Sequence, residues 1–217
     1  MIPIRDASSQ KGLAPLTLLI AVICSLVFIE EIRSGGAIVD LYRVSPVDIY
    51  TFLVKGQGSF VRLQLAILVS AFMHGGYLHF FGNMLFLGVF GPAVEKSVGP
   101  LRFSLLYLIG AIVAFYVHAI AFSHSAAPVL GASGAISAVM GAYLILNPRG
   151  RIVTALPLII IFKIVEIPAG LFILVWFILQ AFNGYLSLNF DNSVAWFAHI
   201  GGFLFGLAAG IHHRWLR

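Results

Sequence analysis

Charge is scarce in this chain of 217 residues: Lys and Arg number 13 and Asp and Glu 8, together 10% of the composition against 60% hydrophobic. Soluble domains carry about 25% charged residues, so an ordinary water-facing surface is excluded. Cysteine is nearly absent. The single thiol, Cys24, excludes an intrachain disulfide framework and any cysteine-based metal or redox motif. Within an apolar run it reads as a small apolar residue facing lipid or core. The apolar/polar alternation of a transmembrane β-barrel is also missing, and nucleic-acid binding and disorder are disfavoured by the same composition. The net charge of +5 requires no acidic ligand, because basic residues gather in the short cytoplasmic loops of membrane proteins.

Long apolar runs are what remain. Mean hydropathy is +1.02, and a membrane span takes about 20 mainly apolar residues. The pattern predicts an all-α polytopic membrane protein with six spans, near residues 15–32, 77–94, 101–122, 131–146, 168–182 and 194–211. Residues 1–14 hold Arg5, Asp6 and Lys11 and no convincing cleavage site follows, so the first run is expected to be an uncleaved span. Three divisions follow: a short cytoplasmic N-terminus (1–14), a helical unit (15–211) and a short basic tail (212–217). Residues 35–62 read as a structured interfacial loop, and residues 63–73 as a short segment entering from the surface before a break at Gly75-Gly76. Residues 152–167, interrupted by Pro157, Lys163 and Glu166, are expected to be interfacial or partly re-entrant. Arg5, Lys11, Lys96, Arg102, Arg149, Arg151, Arg214 and Arg217 fall on one side of this arrangement. They place both termini in the cytoplasm of a multi-pass protein of the cell membrane, taken as a bacterial plasma (inner) membrane. Arg33, Arg43, Lys55 and Arg62, in the first external loop, count against that orientation.

Several polar residues sit where apolar ones would cost nothing. His199 lies inside the sixth run, Ser133 opens the fourth, and His74, His79 and Asn83 cluster at the start of the second. Ionisable groups within spans mark functional interiors. His199, Gly202, Gly206 and Gly210 recur at helical spacing on one face, and Ser133, Ser137 and Gly141 form a matching stripe. Faces of small residues allow close helix approach, which would bring His199 within about 2.6–3.5 Å of Ser133. Imidazole titrates near neutrality and can activate a hydroxyl. The Asn83 amide, a histidine N–H and the Ser133 backbone N–H are candidate donors to an oxyanion. On spacing alone, serine-hydrolase chemistry stays open beside a transporter or proton pathway. A histidine metal site is a third reading, weakened by the lack of an HExxH motif or acidic ligand.

The segments HGGYLHFFGN (74–83), GASGAISAVMG (131–141) and AHIGG (198–202), in that order between hydrophobic spans, resemble the rhomboid family of intramembrane serine proteases. The resemblance covers about residues 15–211 and implies a six-helix bundle working through a Ser–His dyad without metal or cofactor. It assigns the nucleophile to Ser133, the base to His199 and the oxyanion group to His79 and Asn83. His74 takes a supporting position near the substrate path, and Gly131 matches the glycine two residues before the nucleophile. Transmembrane protein substrates, membrane lipids and no nucleic acid are the partners it implies. A non-catalytic rhomboid-fold binding factor is the alternative, and a small-solute transporter a more distant one.

Two features depart from the family pattern. Ser137 stands where many members have an aromatic residue stacked on the base, and the Trp-Arg pair common in the first external loop is absent. Orientation of His199 is therefore expected from Phe197, Tyr143 or helix packing. No buried acid competes for a third role, since Glu166 and Asp191 lie near segment ends.

Overall fold

The computed structural model of the chain describes residues 1–8, 12–158, 161–189 and 194–215. Lys11, Asp191 and Arg217 lie outside the described residues. The first apolar run forms α1 (Pro15–Arg33), where Pro15 occupies the opening turn without losing a needed N–H. The long connection folds into α2 (Ala37–Tyr42) and α3 (Pro46–Lys55). A reciprocal Ser45–Asp48 capping box starts α3. The expected surface segment is α4 (Phe60–Ser70). Beyond the Gly75-Gly76 break come α5 (Tyr77–Val98), α6 (Pro100–Ala121), α7 (Ser133–Leu146), α8 (Ala169–Ser187) and α9 (Trp196–Trp215).

α5 continues past the expected end near residue 94 because Glu95 does not meet water. It is buried, and its carboxylate accepts the backbone N–H groups of Leu16 (2.9 Å) and Thr17 (2.7 Å) and the Thr17 hydroxyl (2.8 Å). An anion there satisfies otherwise orphaned donors at the N-terminus of α1, so one acidic side chain locks α1 to α5.

Four helices, α1, α5, α6 and α8, are long and apolar enough to cross a membrane by length and composition. Together they make the chain a polytopic helical membrane protein. Much of their surface is apolar and exposed, as at Leu18, Leu26, Leu105, Ile109, Leu174 and Ile178; lipid can cover such a surface, whereas water would not. α7 has 14 residues and is buried continuously from Gly134 to Tyr143, at the centre of α5, α6, α8 and α9. A helix that is apolar all round belongs inside a bundle.

The described part of residues 152–167, expected to be interfacial or partly re-entrant, is extended. β2 (Arg151–Leu158) and β3 (Ile161–Pro168) pair antiparallel, with Ile152 facing Ile167 and Thr154 facing Val165. β-branched residues supply Ile152, Val153 and Thr154 of β2 and four of the eight residues of β3, and such residues suit a pleated surface. Residues 2–6 of the expected N-terminal tail are β1 (Ile2–Asp6), which pairs antiparallel with β2 to give the order β1-β2-β3. The sheet is an addition to the helical fold that hydropathy alone did not disclose.

Candidate active site

α7 and α9 meet through glycine. A Cβ on Gly202 would collide with the carbonyl oxygen of Gly134, and one on Gly206 with that of Ala138. Small residues thus bring the two backbones into contact. Ser133 is the first residue of α7, immediately before Gly134, and His199 lies one turn before Gly202 on α9. The side chains therefore converge, with Ser133 Oγ 2.8 Å from His199 Nε2. Both are partly buried. Because Ser133 opens the helix, its backbone N–H has no intrahelical acceptor.

His199 is held from its other side by a residue that the sequence pattern did not single out. Its Nδ1 lies 2.7 Å from Oε1 of Gln180, a buried residue of α8. The Gln180 amide nitrogen donates to the Trp176 carbonyl one turn earlier, at 3.3 Å. Two indoles flank the imidazole: Trp176 at 6.3 Å between ring centroids and Trp196, edge-on, at 5.9 Å.

The expected orienting contacts are corrected accordingly. Tyr143 lies near the far end of α7, where its hydroxyl donates to Asp6 Oδ2 at 2.9 Å, and Phe197 packs on Phe122 at 5.8 Å. The Ser137 hydroxyl turns instead to the Ser133 carbonyl, to which it donates at 2.6 Å.

The loop before α7 lies between His79 and Ser133. Gly131 has φ +131°, a conformation that disfavours side chains. A Cβ there would stand 2.8 Å from His79 Cε1, 2.9 Å from His79 Nε2 and 3.5 Å from Ser133 Oγ. Glycine is thus required twice, for its backbone and for the imidazole laid against it. The loop is pinned by the Gly131 N–H donating to the Ser70 carbonyl (2.9 Å) and the Val129 N–H donating to the Val44 carbonyl (2.9 Å).

His79 has a defined tautomer. Its Nδ1 accepts the Gly75 N–H at 3.3 Å, so in the neutral ring the proton sits on Nε2, the nitrogen beside Gly131. Asn83 follows one turn later on α5, buried, with an amide nitrogen that has no partner among the described residues. His74 stands one ring further back, edge-on to His79 at 5.4 Å and to Phe80 at 5.2 Å. Its backbone N–H donates to both Glu31 carboxylate oxygens, at 3.0 and 3.1 Å, which ties this turn to α1. Burial, helped by neighbouring His79, pushes the His74 imidazole down to about 4, so the ring is neutral at physiological pH. Among the described residues, no group of three His, Cys, Asp or Glu side chains is arranged to hold a metal ion.

The chain is similar to several curated proteins. It is 33% identical to the rhomboid protease GluP of Bacillus subtilis over 153 residues, 70% of this chain and 26% of that protein. It is 26% identical to the rhomboid protease GlpG of Yersinia pestis over 207 residues, 94% of this chain and 64% of that protein. With the mitochondrial rhomboid protein 1 of Saccharomyces cerevisiae it shares 28% identity over 158 residues, 71% of this chain and 43% of the relative. It thus spans less than two thirds of each of these relatives. The rhomboid-domain family model matches residues 60–215, from the start of α4 to the end of α9, and the chain therefore belongs to the rhomboid family.

Proposed function

We propose that this protein is an intramembrane serine endopeptidase that hydrolyses peptide bonds in or near the transmembrane segments of other membrane proteins. The observation that carries the reading is the 2.8 Å approach of Ser133 Oγ to His199 Nε2, made by two helices packed at backbone contact. As a pair of the right chemistry, it permits His199 to take the hydroxyl proton while Oγ attacks the scissile carbonyl. Charge then develops on the carbonyl oxygen. The Ser133 N–H, His79 Nε2–H and Asn83 amide are the donors offered to it, and the Asn83 nitrogen, without a partner among the described residues, is a group whose burial is costly until such an acceptor arrives. His199 returns its proton to the leaving amine, an acyl-enzyme on Ser133 results, and water releases the second product by the reverse sequence.

In this reading residues 15–211 form the catalytic unit, with α1 and α5 to α9 as six spans. The face carrying β1 to β3 is cytoplasmic. Lys96, Arg149 and Arg214 line one cleft there, the distribution favoured on the inner side of a membrane. Ser133, at the opposite end of α7 from that face, would then receive substrate and water from the extracytoplasmic side. A helical substrate must unwind locally, because its backbone groups are otherwise satisfied within the helix.

The test is cleavage of a tagged single-span substrate by the purified protein in bilayers, beside Ser133→Ala. Turnover abolished in the variant is the expected result. An uncleaved substrate that nevertheless co-purifies with the wild type would favour a binding factor, and unchanged cleavage by Ser133→Ala would remove the dyad.

A further inference from the structure

Gln180 belongs to neither the motif around Ser133 nor that around His199, yet it makes the shortest polar contact of the base. Its amide has a fixed sense. The nitrogen donates to the Trp176 carbonyl at 3.3 Å while the oxygen faces His199 Nδ1 at 2.7 Å. Exchanging the two amide atoms would set an oxygen against the Trp176 carbonyl oxygen, two acceptors with no proton between them. The oxygen therefore faces the imidazole, and an amide oxygen can only accept. Nδ1 must carry a proton to complete the contact. In the neutral ring this leaves Nε2 with its lone pair, directed at the Ser133 hydroxyl 2.8 Å away.

We infer that Gln180 is the positioning residue of the base: it selects the His199 tautomer that can accept the Ser133 proton and holds the ring against rotation between Trp176 and Trp196. The inference rests on the reading of Ser133 and His199 as the reacting pair. It gives the orienting role to a neutral side chain from α8, where other serine hydrolases use a carboxylate. When the serine proton reaches Nε2, the ring becomes imidazolium and the Nδ1–H···Oε1 contact becomes charge-assisted. Gln180 thus strengthens its hold as the reaction proceeds, without placing a formal negative charge in the bundle. Its location separates it from the rest of the dyad: α7 and α9 set the distance between Ser133 and His199, whereas α8 sets the tautomer.

Gln180→Met keeps the length and apolar volume of the side chain and removes the acceptor. The expected result is a kcat about 10-fold lower, equivalent to about 1.4 kcal/mol, with KM unchanged within twofold. The tautomer is read directly by nitrogen-15 NMR of histidine-labelled protein, with His199→Ala identifying the signal. Wild type should show a protonated Nδ1 and an unprotonated Nε2 for His199, and Gln180→Met a mixture of the two tautomers. Gln180→Glu controls for folding. Its carboxylate restores an acceptor and favours the imidazolium, so activity should exceed that of Gln180→Met and the acid limb of the pH–rate profile should move upward.

A Gln180→Met protein with wild-type kcat and an unchanged tautomer would overturn the inference. So would a Gln180→Glu protein no more active than Gln180→Met and with an unmoved acid limb. The two levels fail differently. A wild type that shows the expected tautomer and its loss in Gln180→Met, but cleaves nothing, removes the protease reading. A wild type that cleaves through Ser133 while Gln180→Met matches it in every readout removes only the role of Gln180.

Discussion

Gly202→Ala should inactivate the protein without touching a reacting group. The added Cβ would collide with the Gly134 carbonyl oxygen, a backbone atom of a buried helix that cannot rotate away. Ordinary carbon–oxygen contacts sit at about 3.3–3.6 Å, so α9 must retreat from α7 by roughly 1 Å or more. Gly134 follows Ser133 directly and His199 is one turn from Gly202, which places the wedge at the level of the Ser133–His199 contact. A retreat of that size stretches the 2.8 Å contact beyond hydrogen-bond range, and misplacement by about 1 Å costs on the order of 10²-fold in rate. Overpacking a dense interface also destabilises by about 1–3 kcal/mol, so the melting temperature should fall with the activity. Gly88→Ala is the matched control: Gly88 lies within α5, where an added Cβ would meet no described atom within 4 Å, and alanine there should be neutral or stabilising by up to about 1 kcal/mol. The assays are steady-state cleavage of a single-span substrate in bilayers and thermal unfolding of the same preparations. If Gly202→Ala kept wild-type kcat and stability while Gly88→Ala did not, helix contact would not set the geometry of the pair.

Asn83→Ala should lower kcat far more than it raises KM, by at most about 3–4 kcal/mol, the value of one oxyanion donor in a soluble serine protease; a change in KM alone, measured in a substrate titration, would assign Asn83 to binding. Gly131→Ala should reduce both activity and stability, because a Cβ would stand 2.8 Å from the His79 ring at a φ of +131°; wild-type behaviour in cleavage and melting assays would contradict the placement of His79. Tyr143→Phe should leave kcat unchanged and cost about 1 kcal/mol of stability through loss of the hydrogen bond to Asp6. A large fall in kcat would instead restore Tyr143 to the support of His199.

The helices and the Ser133–His199 approach were legible for a physical reason. Glycine recurring every four residues on α9, opposite small residues on α7, is a periodic signal of close packing, and it falls in the same short segments as Ser133 and His199. Gly131 was legible in the motif, although the steric demand of the His79 ring was not. Gln180 left no comparable trace. It is one polar residue in an apolar run, and its meaning depends on which face of α8 turns toward α9, a tertiary fact that local periodicity does not carry. Tyr143 shows the opposite error: it lies on the same helix as Ser133, but ten residues along an α-helix is about 15 Å, too far to reach His199. The sheet was obscured for a third reason. Hydropathy does not distinguish a buried apolar helix from a pair of β-branched strands, and β1 is separated from its partner β2 by most of the chain.

Ser133 is proposed as a nucleophile made reactive by His199. The most direct measurement of that reactivity is covalent labelling of the purified, bilayer-embedded protein with a fluorophosphonate, followed by mass spectrometry of the modified peptide. One adduct is expected, on Ser133, formed rapidly in wild type and lost in His199→Ala although that variant remains folded. An adduct on another serine, or undiminished labelling of Ser133 without His199, would contradict it.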